Sequence, residues 1–242
     1  MRQIPLAIGP LPEPTFETFV PGRNGAALEH LRALVPLSAP VYLWGERGTG
    51  KTHLLQALAE RCRAAGQVVG WFDAADALPW TLEPGWALAV IDRCEALDAA
   101  AQQAAFALFI EAATQGVQVA AAGRLPPVDL PLRDDLRTRL AWGHVFALAP
   151  LDEAETRAAL RREADRRGIF LADEVMDHLL TRFPRDLAEL MRVLDRLDEF
   201  ALARSRHVTV PLVRQMLAEQ AAQDAAAAAA LVPATQPETA AG

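Results

Sequence analysis

Apolar and polar positions along the chain alternate between two regimes. Apolar runs of strand length lie at 39–44, 67–72, 86–92, 117–122 and 143–148, and between them longer segments repeat apolar residues at helical spacing. After the first run, Lys51 to Ala65 places Leu54, Leu55, Leu58 and Cys62 on one face before Gly66, which predicts a helix. A helix from about Asn24 to Val35 precedes the first strand. Another runs from its cap Asp98 to Gln115 and is ended by Gly116. Residues 73–84 read as a connection with one short helical turn, and Pro131 to Leu140 as a short, charged helical stretch. Strands alternating with helices imply an α/β fold: a five-stranded parallel sheet covered by helices on both faces.

From Pro150 the pattern becomes purely helical. Asp152 caps a helix to Arg167 with Glu155 at its third position, and Gly168 closes it. Further helices are expected over about Asp173–Phe183, Pro184–Arg204 and Pro211–Gln220. Four segments result: a proline-rich N-terminal peptide (1–14), an α/β nucleotide-binding domain (15–149), an all-helical lid (150–222) and a disordered Ala/Pro-rich tail (223–242).

The strongest chemical signal lies between the first strand and its helix. Gly45-Glu46-Arg47-Gly48-Thr49-Gly50-Lys51-Thr52 is a complete GxxxxGK[ST] phosphate-binding loop in the strand–loop–helix context that the motif requires. Its glycines permit a tight turn that presents backbone amides to phosphates, and the helix N-terminus adds positive potential. Lys51 is expected to reach the β/γ-phosphates of ATP or ADP, and Thr52 to ligate Mg²⁺. Asp92, closing the apolar run from Trp86, is the expected acidic partner of that ion. The next position carries Arg93, which cannot act as a base at accessible pH. Glu95 is expected to point away from Asp92, because a strand alternates its faces. Nucleotide binding is thus better supported than hydrolysis by this chain alone.

Composition narrows the class. A chain of 242 residues with 52% hydrophobic content can fill one α/β core and a smaller appendage, and a net charge of −7 disfavours nonspecific binding to nucleic-acid phosphates. Cys62 and Cys94 are too few for a disulfide framework or zinc site and read as buried or half-buried filler. Prolines 5, 10, 12 and 14 interrupt any secretory signal, and no apolar run is long enough for a bilayer. A soluble, cytoplasmic protein is expected. The five histidines show no ligand spacing, and Trp44, Trp71 and Trp142 read as core.

Two segments stay open on physics alone. Gln3-Ile4-Pro5-Leu6-Ala7-Ile8 is either a disordered tail or an extended peptide for a hydrophobic groove. Arg133, Arg137 and Arg139, with Asp134 and Asp135, form either a solvated face or a source of arginine for a neighbour's phosphate. The aromatics of Thr15 to Gly22 either pack or wall an adenine pocket.

Four stretches decide between these readings by resemblance: Phe16 to Asn24, the loop exit Gly50-Lys51-Thr52-His53-Leu54-Leu55, Arg124-Leu125-Pro126-Pro127, and Arg137-Thr138-Arg139-Leu140-Ala141-Trp142-Gly143. From Thr15 to about Glu219 the chain resembles the AAA+ module of the bacterial replication initiator DnaA, and more closely the Hda-type family of DnaA-homologous regulators. The resemblance implies an AAA+ P-loop NTPase fold with a helical lid. It implies that Arg139 is an arginine finger acting in trans and that Arg185 senses bound nucleotide from the lid. Gln3, Ile4, Leu6 and Ile8 become a peptide similar to the one by which such proteins bind the DNA polymerase III sliding clamp (beta subunit). Gly123 and Arg93 stand where the initiator carries a polar γ-phosphate sensor and a second acid.

The implied function is negative regulation of replication initiation. The chain, holding ADP or ATP with Mg²⁺, promotes hydrolysis of DnaA-bound ATP together with the DNA-loaded clamp, and meets DNA only through it. The rivals are a free-standing AAA+ ATPase such as a helicase loader, and a non-catalytic adaptor bridging clamp and initiator. Whether the chain forms homo-oligomers is left open.

Overall fold

A computed structural model of the chain describes residues 14–35, 38–183, 187–204 and 206–230, with side chains described to residue 223. Five strands form one parallel sheet: β1 (Val41–Trp44), β2 (Val68–Phe72), β3 (Trp86–Ile91), β4 (Gln118–Gly123) and β5 (His144–Ala147). Their spatial order is β2-β3-β4-β1-β5, so β2 and β5 are the edges. All pairings are parallel, with Val41 opposite Ala120 on one side and His144 on the other.

Side-chain alternation sorts the sheet into two cores. Val41, Leu43, Leu88, Val90, Ala120 and Ala122 face α1 (Gly25–Ala33) and α2 (Lys51–Ala64). Tyr42, Ala89, Ile91, Val119 and Ala121 face α3 (Ala99–Gln115) and α4 (Asp134–Ala141). Strand β4 is buried at every position and carries three consecutive alanines, which lets helices approach both of its faces. Edge strand β5 by contrast leaves His144, Val145 and Ala147 exposed.

The predicted caps are present. Asp98 accepts a hydrogen bond from the Ala101 amide at 2.8 Å, and α3 ends on Gly116 at φ 72°. Residues 73–84 hold a hydrogen-bonded turn, Asp76 N–H to Asp73 O at 2.9 Å, rather than the expected helical turn. The Ala75 amide donates to Asp73 Oδ1 at 3.1 Å and the Asp73 amide to Asp76 Oδ2 at 2.7 Å, side-chain bonds that close a turn in place of a helix. The charged stretch from Pro131 becomes helical only at Asp134, where α4 begins.

The chain divides into two compact units that part between Thr156 and Arg157, inside α5 (Glu153–Arg166) and a little beyond the expected boundary at residue 149. The second unit continues with α6 (Asp173–Arg182), α7 (Leu187–Arg204) and α8 (Val210–Ala230). Leu160, Met176, Leu179, Val193, Leu194, Leu197 and Val213 fill its core. Helix α8 continues to Ala230, beyond residue 222 where a disordered tail was expected. Its second half is nearly all alanine, the residue of highest helix propensity, and this outweighs the absence of an apolar face to bury.

The start of α5 is fixed by a reciprocal box. The Glu155 amide donates to Asp152 Oδ1 at 2.8 Å and the Asp152 amide donates to Glu155 Oε2 at 2.9 Å. Replacing Asp152 with Ala leaves the Glu155 amide without its cap, at a cost of about 0.5–2 kcal/mol. Urea unfolding of the full chain should therefore show a lower midpoint in Asp152→Ala, with an unchanged denaturant slope.

Candidate nucleotide site

The phosphate-binding loop occupies the C-terminal edge of the sheet between β1 and α2. Gly45, Gly48 and Gly50 take φ of 153°, 82° and 89°, and the last is the left-handed cap of α2. At Gly45 a Cβ would stand 2.4 Å from the Leu148 carbonyl, and at Gly50 it would strike the Phe19 ring at 2.6 Å. Side chains are thus barred from both ends of the loop by its surroundings as well as by its dihedrals. Thr49 is buried and donates to the Glu46 carbonyl at 3.0 Å, tightening the turn, while Glu46 and Arg47 are exposed.

Lys51 folds back over the loop, its Nζ donating to the carbonyls of Gly45 at 2.8 Å and Glu46 at 2.7 Å. Burial lowers its pKa; Glu95 and Asp92 pull it back up, and Arg124 pushes it down. Thr52 Oγ1 donates to Asp92 Oδ2 at 2.7 Å, and the other oxygen of this buried carboxylate accepts the Arg93 amide at 2.8 Å. Among the described residues no hydrogen bond engages the amides of Gly48 and Gly50, donors that a phosphate group would take. A hydroxyl, an acid, an ammonium and free amides at one helix N-terminus fit a nucleoside phosphate with its magnesium ion. Thr52 and Asp92 are the two oxygen donors suited to the ion.

Beyond Asp92 the structure corrects the sequence reading. Strand β3 stops at Ile91, so alternation no longer governs Glu95. Arg93 adopts the left-handed conformation at φ 53°, the only non-glycine among the described residues to do so, and Cys94–Ala96 form a short 3₁₀ turn. The guanidinium of Arg93 pairs through both Nε and Nη2 with the carboxylate of Asp73 at the end of β2, which holds this uncommon backbone in place. The reversal brings Glu95 back to the site instead of away from it. Its carboxylate accepts the Arg124 amide at 3.1 Å and pairs with Arg124 Nε at 3.3 Å.

Gly123 also acquires a reason. A Cβ there would lie 2.2 Å from the Tyr42 hydroxyl and 3.3 Å from Glu95 Oε2. The hydroxyl donates to the Leu125 carbonyl at 2.8 Å, and burial raises its pKa, so it stays protonated. Where a polar sensor residue was expected, the sheet end is instead furnished by Tyr42 from β1 and Glu95 from the turn. Neither is legible in the sequence, since both depend on which strands lie side by side.

His53, assigned no role from sequence, clamps the N-terminal segment. Its Nε2 donates to the Thr15 carbonyl at 2.9 Å and lies 3.3 Å from Thr18 Oγ1, and its ring meets Phe19 with centroids 5.4 Å apart. The one hint in the sequence is its place in the loop-exit string. Phe16 and Phe19 are buried in the core over α2, so these aromatics pack. Cys62 is half-buried and Cys94 buried, as expected. No group of three or more His, Cys, Asp or Glu capable of holding a metal occurs among the described residues. No helix among them is long and apolar enough to cross a membrane.

Of the remaining candidates, the structure describes the arginines on and just before α4. Arg133, at the cap of α4, pairs with Asp135 at 2.7 Å, and Arg137 pairs with Asp134 while donating to the Val128 carbonyl at 3.1 Å. Arg139, half-buried, makes no side-chain hydrogen bond or ion pair among the described residues. Trp142, expected in the core, is 70% exposed, because α4 ends one residue earlier and the chain turns into the edge strand. Arg185, Gln3, Ile4, Leu6 and Ile8 lie outside the described residues.

Comparison with known proteins places the architecture. A model of the Hda lid domain matches residues 152–217, and a model of the bacterial DnaA ATPase domain matches residues 12–69. These two matches, one at each end of the chain, support an Hda-type, DnaA-like AAA+ protein. Among solved structures, domain III of the Thermotoga maritima initiator DnaA is 22% identical, with a TM-score of 0.70 over 87% of this chain and 98% of that one. The AMPPCP-bound DnaA of Aquifex aeolicus is 22% identical, with a TM-score of 0.63 over 78% of this chain and 66% of that one. The Holliday junction branch migration motor RuvB of Thermotoga maritima is 16% identical, with a TM-score of 0.56 over 78% and 64%. At these identities the likeness establishes the fold, and this chain spans just under two thirds of the Aquifex DnaA chain. The lid match covers α5, α6 and α7 and reaches into α8.

The His53 clamp carries a pH signature. Burial lowers the pKa of His53 from its ordinary value of 6.5, partly offset by the bond to Thr15, so the folded chain resists protonation where the unfolded chain accepts it. The contribution is intact above about pH 6.5 and is lost as pH falls through the lowered folded value. Stability should decline as pH falls below about 6.5, and decline less in His53→Gln; chemical denaturation on either side of that pH checks it. His30, shifted in the same direction by burial and by His144, supplies part of the remainder.

Proposed function

We propose that this protein restrains replication initiation by promoting hydrolysis of the ATP held by a neighbouring DnaA. The chain binds its own ADP or ATP at Gly45–Thr52, with Thr52 and Asp92 holding Mg²⁺ and the lid arginine Arg185 reporting on the nucleotide. Gln3, Ile4, Leu6 and Ile8 tether it to the DNA-loaded clamp, which raises its effective concentration beside initiator on newly replicated DNA.

The observation that carries the reading is the contrast along α4. Arg133 and Arg137 pair with carboxylates of α4, whereas Arg139 keeps a guanidinium uncommitted among the described residues, three positions before an exposed Trp142. A charge left unpaired in this way is available to an anion supplied by another molecule. The likeness to DnaA supports DnaA as that molecule, since the solved Aquifex aeolicus DnaA is bound to AMPPCP, an ATP analogue. Charge develops on the oxygens around the transferring phosphoryl group, and a guanidinium delivered there in trans is worth about 10³–10⁵ in rate.

The test is hydrolysis of initiator-bound ATP in the presence of DNA-loaded clamp. Arg139→Ala should reduce the stimulated rate by at least about a hundredfold, within the range known for such fingers, and leave clamp binding unchanged. Gln3→Ala should abolish the clamp's contribution while sparing slow stimulation at high protein concentration. Full stimulation by Arg139→Ala would refute the finger, and initiator silenced without phosphate release would establish the adaptor reading instead.

A further inference from the structure

The phosphate end of the loop holds one charged pair that the proposed function leaves unused. Glu95 is drawn to the site by the left-handed turn at Arg93, and both of its oxygens are taken up by Arg124, one by the amide at 3.1 Å and one by Nε at 3.3 Å. The carboxylate is three-quarters enclosed while the guanidinium is 60% exposed, so the acid is fixed and the base is the part free to leave. Three observations aim Glu95 at the nucleotide. Its Oε2 lies 3.3 Å from where a Cβ of Gly123 would stand, and the Gly123 carbonyl receives the amide of Gly45, first residue of the loop, at 3.3 Å. It acts electrostatically on Lys51 ahead of Asp92. Asp92 itself is committed to Thr52 and to the Arg93 amide, which leaves Glu95 as the second carboxylate of this edge.

We propose that Glu95 is the general base for hydrolysis of the chain's own nucleoside triphosphate, and that Arg124 holds it in an inactive ion pair. Arg93 at the position after Asp92 therefore relocates the second acid by two residues rather than deleting it. With Arg124 removed from Oε1, Glu95 stays aimed by the Arg124 amide, which no side-chain substitution takes away. Its freed oxygen accepts a proton from water as the water oxygen bonds to the γ-phosphorus. The bond from that phosphorus to the β,γ-bridging oxygen breaks, the electron pair leaves with the nucleoside diphosphate, and inorganic phosphate is the other product. General-base assistance of this kind is worth about 10²–10⁴ in rate. The wild-type chain is then expected to turn over slowly, its carboxylate masked, and the exposed arginine gives a partner's acidic side chain a place to unmask it.

The inference rests on the reading of Gly45–Thr52 as a nucleotide site, and the experiment separates the two. Single-turnover hydrolysis of radiolabelled ATP is measured on the purified full chain, alongside binding of a fluorescent ADP analogue. Arg124→Ala should raise the hydrolysis rate at least about tenfold, below the full range for general-base assistance, with ADP-analogue affinity close to that of wild type. Arg124→Ala combined with Glu95→Gln should return the rate to the wild-type level while still binding the analogue, which also shows that the fold is intact. A rate unchanged or lowered in Arg124→Ala would overturn the latch, and a raised rate that survives Glu95→Gln would overturn the assignment of the base. Absence of analogue binding by the wild-type chain would defeat the site reading itself, and the latch with it.

Discussion

A carboxylate held out of water must be satisfied by donors, and in this protein the donors to Asp92 organise the catalytic edge. One is the hydroxyl of Thr52 on the first turn of α2; the other is the amide of Arg93. The first ties the phosphate-binding loop to the end of β3. The second requires the chain to turn immediately after Asp92, and Arg93 does so in a conformation that ordinary residues adopt at a cost of about 1–2 kcal/mol. The fork between Arg93 and Asp73 compensates that cost and couples the ends of β2 and β3. From the turn follows the position of Glu95, and from Glu95 and Tyr42 together follows the need for glycine at 123.

Several arginines of the α/β unit are satisfied within the chain. Arg61 caps the C-terminal carbonyls of α1, and Arg93, Arg124, Arg133 and Arg137 all face carboxylates. Arg139 has no such partner among the described residues. Three arginines and two aspartates share this stretch, and Arg139, the arginine in excess, sits on the short helix that leads to an exposed edge strand. On the proposed function two kinds of phosphate chemistry are kept apart: a loop for the chain's own nucleotide, and a cation held out for another's.

Much of this arrangement is legible in the order of residues. The loop motif, strand–helix alternation and the Asp98 and Asp152 caps rest on short-range rules, and each appears where its residues predict it. The parallel sheet follows from the alternation, although its order β2-β3-β4-β1-β5 does not. What stays hidden depends on residues far apart in the chain. Strand periodicity misplaces Glu95 because the strand has already ended at Ile91, and Gly123 resembles a missing sensor when the space is filled by Tyr42. Trp142 looks like core because tryptophan usually is, yet helix α4 ends just before it. Composition suggests disorder for the alanine run after Gln223, while its intrinsic helix preference extends α8 to Ala230.

The central claim is that this chain keeps one nucleotide for itself and lends Arg139 to a neighbour's. The most direct measurement is a cryo-electron microscopy structure of the protein on a DNA-loaded clamp with DnaA bound to a non-hydrolysable ATP analogue. The account predicts density for the Arg139 guanidinium against the initiator's γ-phosphate, with a separate nucleotide enclosed by Gly45–Thr52. An interface that buries a different face and leaves Arg139 in solvent, remote from the initiator's nucleotide, would contradict it.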